Sequence, residues 1–97
     1  MDVHFEFGGE SFVWDAAKAA ANPRKHGVRF EDAATVFFDP LFKLVDASRH
    51  DEARYAAIGF DALGRLLYVV HVEIEGNFIR IVSARVADAR EEQHYAE

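Results

Sequence analysis

The run Leu66-Leu67-Tyr68-Val69-Val70 is apolar at consecutive positions, so both faces of a strand built from it want cover, the mark of a central strand. It predicts a strand over 66–73. Two further apolar stretches flank it, residues 54–60 and 78–84, each rich in β-branched or aromatic side chains. The connections Asp61-Ala62-Leu63-Gly64 and Glu75-Gly76-Asn77 are of hairpin length and composition. Three strands joined this way predict an antiparallel meander.

Working outward, Leu41-Phe42-Lys43-Leu44-Val45 reads as a further strand and the polar segment 46–52 as a loop. Upstream, Phe30, Ala33, Ala34, Phe37 and Phe38 fall at i, i+3, i+4, i+7 and i+8, one apolar helical face closed by Asp39-Pro40. Asp15 suits an N-cap for the alanine-rich run to Ala21. Pro23 predicts that this helix stops at Asn22, or that Asn22 caps a new turn opened by the proline. Gly27 is a natural left-handed stop after His26. At the N-terminus, Val3-His4-Phe5-Glu6-Phe7 alternates; with the turn Gly8-Gly9-Glu10 and Phe12-Val13-Trp14 it predicts a hairpin. Asp88-Ala89-Arg90-Glu91 has the form of a capping box, opening a short terminal helix to Tyr95. The expected fold class is α+β: an antiparallel meander sheet with two N-terminal helices and a short C-terminal helix packed on one face.

The 97 residues fit one domain, 1–97, and 51% hydrophobic content with nine phenylalanines is enough for a core. The chain has no cysteine, which removes disulfides and thiolate sites. No run reaches the roughly 18 apolar residues of a membrane span, and Met1-Asp2-Val3-His4 lacks the regions of a signal peptide, so a cytoplasmic protein without membrane partners is expected. The net charge of −6 argues against non-specific nucleic-acid binding but permits a local basic site. Four of the 11 basic residues, Lys18, Arg24, Lys25 and Arg29, lie within residues 14–33.

His26 is a candidate general acid or base, although a histidine before glycine also serves as a helix-capping residue. In a meander, the strands bearing Arg54 and Arg80 flank the central one, about 10 Å apart at two strand spacings. Guanidinium groups among apolar neighbours are either paired with a carboxylate, such as Glu52 or Glu73, or open to a phosphate. Glu52 could orient Arg54 or act as a base, and Arg85 could neutralise Asp88. The histidines show no metal-ligand spacing, so neither a metal nor another cofactor is expected.

In combination, several of these stretches resemble the BrnT family of toxins, also known as the domain-of-unknown-function 497 family. They are residues 12–18, Asn22 with Lys25-His26-Gly27-Val28, Phe30-Glu31-Asp32-Ala33, Phe38-Asp39-Pro40-Leu41, Glu52-Ala53-Arg54-Tyr55, Ile79 to Arg85, and Arg90-Glu91 through Tyr95. The resemblance implies a RelE-like fold and a toxin of a type II toxin–antitoxin module: a metal-independent ribonuclease that blocks translation. Its partners would be RNA, a ribbon-helix-helix antitoxin and, only through the antitoxin, operator DNA. Carried over by motif, Lys25 and His26 serve proton transfer and phosphate contact. Arg54, Arg80 and Arg85 bind the scissile phosphate, Arg24 adds substrate contact, and Glu52 activates the 2′-hydroxyl. The segment from Val3 to Glu10 precedes the usual start of the family. Alternative readings are a relative kept only for antitoxin binding and corepression, and an unrelated acidic interaction domain.

Overall fold

The computed structural model describes residues 1–74 and 76–97. Its elements are β1 (Asp2–Phe7), β2 (Glu10–Asp15), α1 (Ala16–His26), α2 (Phe30–Ala34) running on into a 3₁₀ segment (Thr35–Phe38), β3 (Lys43–Asp46), β4 (Tyr55–Phe60), β5 (Leu66–Ile74), β6 (Phe78–Val86) and α3 (Ala89–Ala96). The strands form one six-stranded sheet in the order β1-β2-β6-β5-β4-β3. The four-strand meander from β3 to β6 is antiparallel throughout, and the N-terminal hairpin forms as expected. Of the predicted turn 75–77, Glu75 lies outside the described residues; Gly76 and Asn77 both take positive φ.

The purely antiparallel sheet is corrected by one pairing: β2 runs parallel to β6, with Ser11, Phe12 and Val13 opposite Phe78, Ile79 and Arg80. A parallel neighbour needs a long crossover, and here everything from α1 to β5 serves as one. The docking sets Phe12 and Trp14 on the same sheet face as Ile81, Ala84, Leu67, Val69 and Ala57, all at most 2% exposed, beneath Phe30, Ala33 and Ala34 of α2. Gly59 lets the 3₁₀ segment and the chain after it approach β4: a Cβ there would stand 2.9 Å from Phe42 and 3.0 Å from Val36.

The helix layer also departs from expectation. Phe30–Phe38 is not one α-helix, because it tightens to 3₁₀ at Thr35; Phe30 is buried while Phe38 stays 40% exposed and packs edge-on against Phe7 of the hairpin. The three helices do not share one face. The terminal helix α3, with the expected capping box between Asp88 and Glu91, lies on the opposite side. There Tyr95 meets Phe60, and Lys43 Nζ donates to the carbonyls of His94 and Glu97.

Pro23 does not end α1, which runs through it to His26, with Asp15 as the expected N-cap and Gly27 as a left-handed C-cap at φ 72°. An interior proline forgoes one helical hydrogen bond at a cost of about 3 kcal/mol. Tertiary bonds at Asn22 override it. Strand β2 pairs only with the first residues of β6, so further along that edge Ala84 has a free N–H and carbonyl. The buried Asn22 side chain fills the gap: its Nδ2 donates to Ala84 O at 2.8 Å and Val28 O at 2.8 Å, and its Oδ1 accepts from Ala84 N at 3.2 Å. Asn22→Ala strands three buried backbone groups at about 1 kcal/mol or more each. A loss of about 3 kcal/mol is therefore expected, seen as a melting temperature lower by roughly 12–20 °C for a domain of this size. Thermal unfolding followed by circular dichroism checks it, and an unshifted melting temperature contradicts it.

Candidate active site

Strand alternation puts Tyr68, Val70 and Val72 of β5 on the face away from α1 and α2. Their neighbours on β6 are Arg85, opposite Tyr68, and Arg80, opposite Val72. These two arginines are five positions apart, an odd spacing that strict alternation would place on opposite faces. A register slip between Val70 and His71 leaves Val82 as an extra residue in β6, and this bulge returns both to one face. On the other side of β5, Tyr55 pairs with His71, and Arg54 lies just before Tyr55, one residue outside the start of β4. Arg54 and Arg80 thus lie on either side of β5, where the flanking backbones run about 10 Å apart.

Each guanidinium has a carboxylate. Arg80 makes a two-pronged contact with Asp2 of β1, Nη1 to Oδ1 at 3.1 Å and Nη2 to Oδ2 at 2.7 Å. Neither Glu52 nor Glu73 holds it. This bond holds the Asp2 carboxyl below the usual carboxylate range and raises Arg80 in turn. Arg54 Nη2 donates to Glu52 Oε2 at 3.2 Å, while its Nε is buried with no hydrogen-bond partner. Arg85 does not neutralise Asp88. It takes Glu91 of α3 at 2.8 and 2.7 Å, and its guanidinium carbon lies 4.3 Å above the Tyr68 ring centre. Burial, followed by the Glu91 charge, pushes the Tyr68 phenol up.

Arg24, Lys25 and His26 form the exposed last turn of α1, where positive charge complements the helix dipole. The corner is held by Arg65, whose Nη1 donates to Gly27 O at 3.0 Å while Nε and Nη2 grip the buried Asp61 carboxylate at 3.0 and 2.8 Å. Arg65 precedes Leu66, and Leu67 pairs with Val86 at the far end of β6. The structure therefore pairs Glu52 with Arg54 and sets Arg80, paired with Asp2, two strands away at the same end of the sheet, with Arg24, Lys25 and His26 at the other end. Arg85, one residue before Val86, lies near that second end on the open face. Val86 lies six steps along the strand from Arg80, roughly 20 Å. Among the described residues, no three His, Asp or Glu side chains cluster as metal ligands do.

Sequence reasoning missed Asp2 as the partner of Arg80. The alternation of β1 was readable, but the parallel docking that carries β1 to this face was not. It also passed over His71, which is 2% exposed, edge-on to Phe37 at 4.8 Å, and has its pKa lowered by burial. Because the folded Asp2 carboxyl titrates below its unfolded value, its pairing with Arg80 is fully present at neutral pH and is lost as pH falls through the lowered value. Carboxyl-detected NMR titration should find Asp2 below the ordinary aspartate range and Arg80→Ala should bring it back up. An unchanged Asp2 titration in that variant refutes the pairing.

The family model described as the ribonuclease toxin BrnT of a type II toxin–antitoxin system matches residues 14–91. Among solved structures, the crystal structure of the Brucella abortus ribonuclease toxin BrnT superposes with a TM-score of 0.61 at 25% identity, over 77% of this chain and 92% of that one. No curated protein sequence matches the chain. The family match takes in α1 with its basic end, Arg54, Arg80 and Arg85, and on it this chain belongs to the BrnT family of type II ribonuclease toxins.

Proposed function

We propose that the chain is a metal-independent endoribonuclease that inhibits translation in the cytoplasm as a single RelE-like domain, and that a ribbon-helix-helix antitoxin neutralises it. The observation that carries this reading is that Arg54 and Arg80 stand on either side of β5, on chain segments whose backbones run about 10 Å apart at two strand spacings. Released from Asp2 and Glu52, the two long side chains can reach one phosphodiester from either side of β5, and donors aimed at the charge that grows during cleavage are a large source of rate. Glu52, 3.2 Å from Arg54, is the base that takes the 2′-hydroxyl proton. Arg85 extends the cationic track along β6. Arg24, Lys25 and His26 grip the RNA backbone further on, with His26 and Lys25 also available for proton transfer. No cofactor enters the scheme, and operator DNA is reached only through the antitoxin.

One observation favours a second reading, an antitoxin-binding corepressor without nuclease activity: every arginine of the face is engaged by a carboxylate of the same chain. The exposed pairs of Arg54 with Glu52 and Arg80 with Asp2 are worth about 0–1 kcal/mol each, so a phosphate can displace them at little cost. The antitoxin has its own surface to cover. Phe38 and Leu44, 40% and 52% exposed, stand at a cavity of 390 Å³ with His71.

Incubation of the purified chain with single-stranded RNA and chelator should give cleavage, reduced about 10²- to 10³-fold by Arg80→Ala and by Arg54→Ala, with antitoxin binding kept. Intact RNA from folded wild-type protein sinks the nuclease and leaves the corepressor.

A further inference from the structure

The sheet face away from Arg80 and Arg85 is not fully roofed. Past the 3₁₀ segment a cavity of 390 Å³ opens between Phe37 and Phe42 on one side and His71 and Ile79 of the sheet on the other. His71 is 2% exposed, and its Nδ1 lies 3.1 Å from Val69 O on its own strand. A carbonyl only accepts, so Nδ1 carries the hydrogen and Nε2 is left as an acceptor. Burial lowers the pKa of the ring, which keeps this neutral form at pH 7. Nε2 bonds no protein group among the described residues. It is not sealed in either, because the one side-chain nitrogen or oxygen there that is buried without a partner is Arg54 Nε. Nε2 therefore opens to the cavity. A lone acceptor in an apolar cavity calls for a donor on the occupant.

The mouth of the cavity carries negative charge. Glu10 of β2 and Glu73 of β5 border both this cavity and an adjoining one of 200 Å³. The ion pairs of the described residues use neither carboxylate. Phe38 and Leu44 at the rim are partly exposed, as is Tyr55, whose ring lies 6.2 Å from that of His71. Exposed apolar surface continuous with a cavity marks a protein contact.

We propose that this cavity anchors the antitoxin by taking a tryptophan side chain from a basic segment of it. This rests on the antitoxin reading above. An indole brings a large apolar ring and an N–H that only donates, which matches an apolar cavity whose single buried polar group accepts. Lysine or arginine beside that tryptophan meets Glu10 and Glu73. A second copy of the chain cannot fill the role: its one tryptophan, Trp14, is 2% exposed in its own core, and its net charge is −6. The family match begins at residue 14, so Glu10 is a charge that the preceding hairpin adds to the mouth.

The test titrates the full-length chain with the peptide acetyl-Lys-Trp-Lys-amide while NMR follows the His71 ring nitrogens and the Leu44 methyls. Both sets of signals should shift and saturate together. The same peptide carrying 1-methyltryptophan, which lacks the N–H, should bind about 10-fold more weakly, the worth of one hydrogen bond. Acetyl-Glu-Trp-Glu-amide should also bind about 10-fold more weakly or worse. Glu10→Gln together with Glu73→Gln should abolish the preference for lysine at an unchanged melting temperature. No saturable shift at the cavity, or equal binding of the methylated peptide, overturns the site. Purified antitoxin, titrated against the wild-type chain and against Leu44→Asp combined with the two glutamine changes, separates the two readings. Binding about 10²-fold weaker in the variant supports the anchor. Equal binding overturns it while the antitoxin reading stands, and no complex with the wild-type chain overturns both.

Discussion

A single buried amide ties α1 to the exposed length of the β6 edge. Strand β2 pairs with β6 only as far as Val13 and Arg80, and beyond that point the edge of β6 needs another partner. Asn22 supplies it, reading Ala84 as a neighbouring strand would and tying the carbonyl of Val28 into the same knot. Buried backbone groups without partners are costly, so the helix continues through Pro23 to keep Asn22 in place. The consequence for the site is positional. With α1 pinned to the far part of the β6 edge, its basic end is separated from Arg80 by most of the length of that strand.

The open face is built from electrostatics that the protein resolves internally. In a chain of net charge −6, Arg80, Arg54 and Arg85 each find a carboxylate, and each carboxylate comes from a different part of the chain: β1, the loop before β4, and α3. The Glu91 carboxylate serves twice. Its Oε1 accepts from both Asp88 N and Arg85 Nη1, so the cap of α3 also fixes the guanidinium over Tyr68. Such a face is pre-shaped for an anion while presenting little free positive charge to solvent. It suits a protein that must bind RNA selectively and not adsorb to it generally.

The parts of the fold legible in the sequence were those with a local physical signature. Asp15 and the Asp88–Glu91 box announce helix starts, Gly27 a left-handed stop, and the doubly apolar run at Leu66 a central strand; all stand in the structure. The parallel seam between β2 and β6 has no local signature, because it joins residues from opposite ends of the chain. The same holds for the side of the sheet that α3 takes. The extra residue at Val82 is likewise silent in sequence, yet it puts Arg80 and Arg85 on a common face. The placement of Arg54 and Arg80 either side of the central strand followed from counting strands. The partners of Arg80 and Arg85 did not, since Asp2 reaches its arginine only through the hairpin's docking and Glu91 only through the path of α3.

The central claim is that RNA lies on the open face against Arg54 and Arg80. The most direct measurement is an NMR titration of the labelled chain with single-stranded RNA carrying 2′-deoxy sugars, which cannot be cleaved through a 2′-hydroxyl, following the arginine Nε–Hε signals. The buried, unpartnered Nε of Arg54 and the Nε of Arg80 should shift together with saturating RNA. Shifts confined to Arg24 and the neighbouring Lys25-His26 amides, with Arg54 and Arg80 unmoved, would contradict the account.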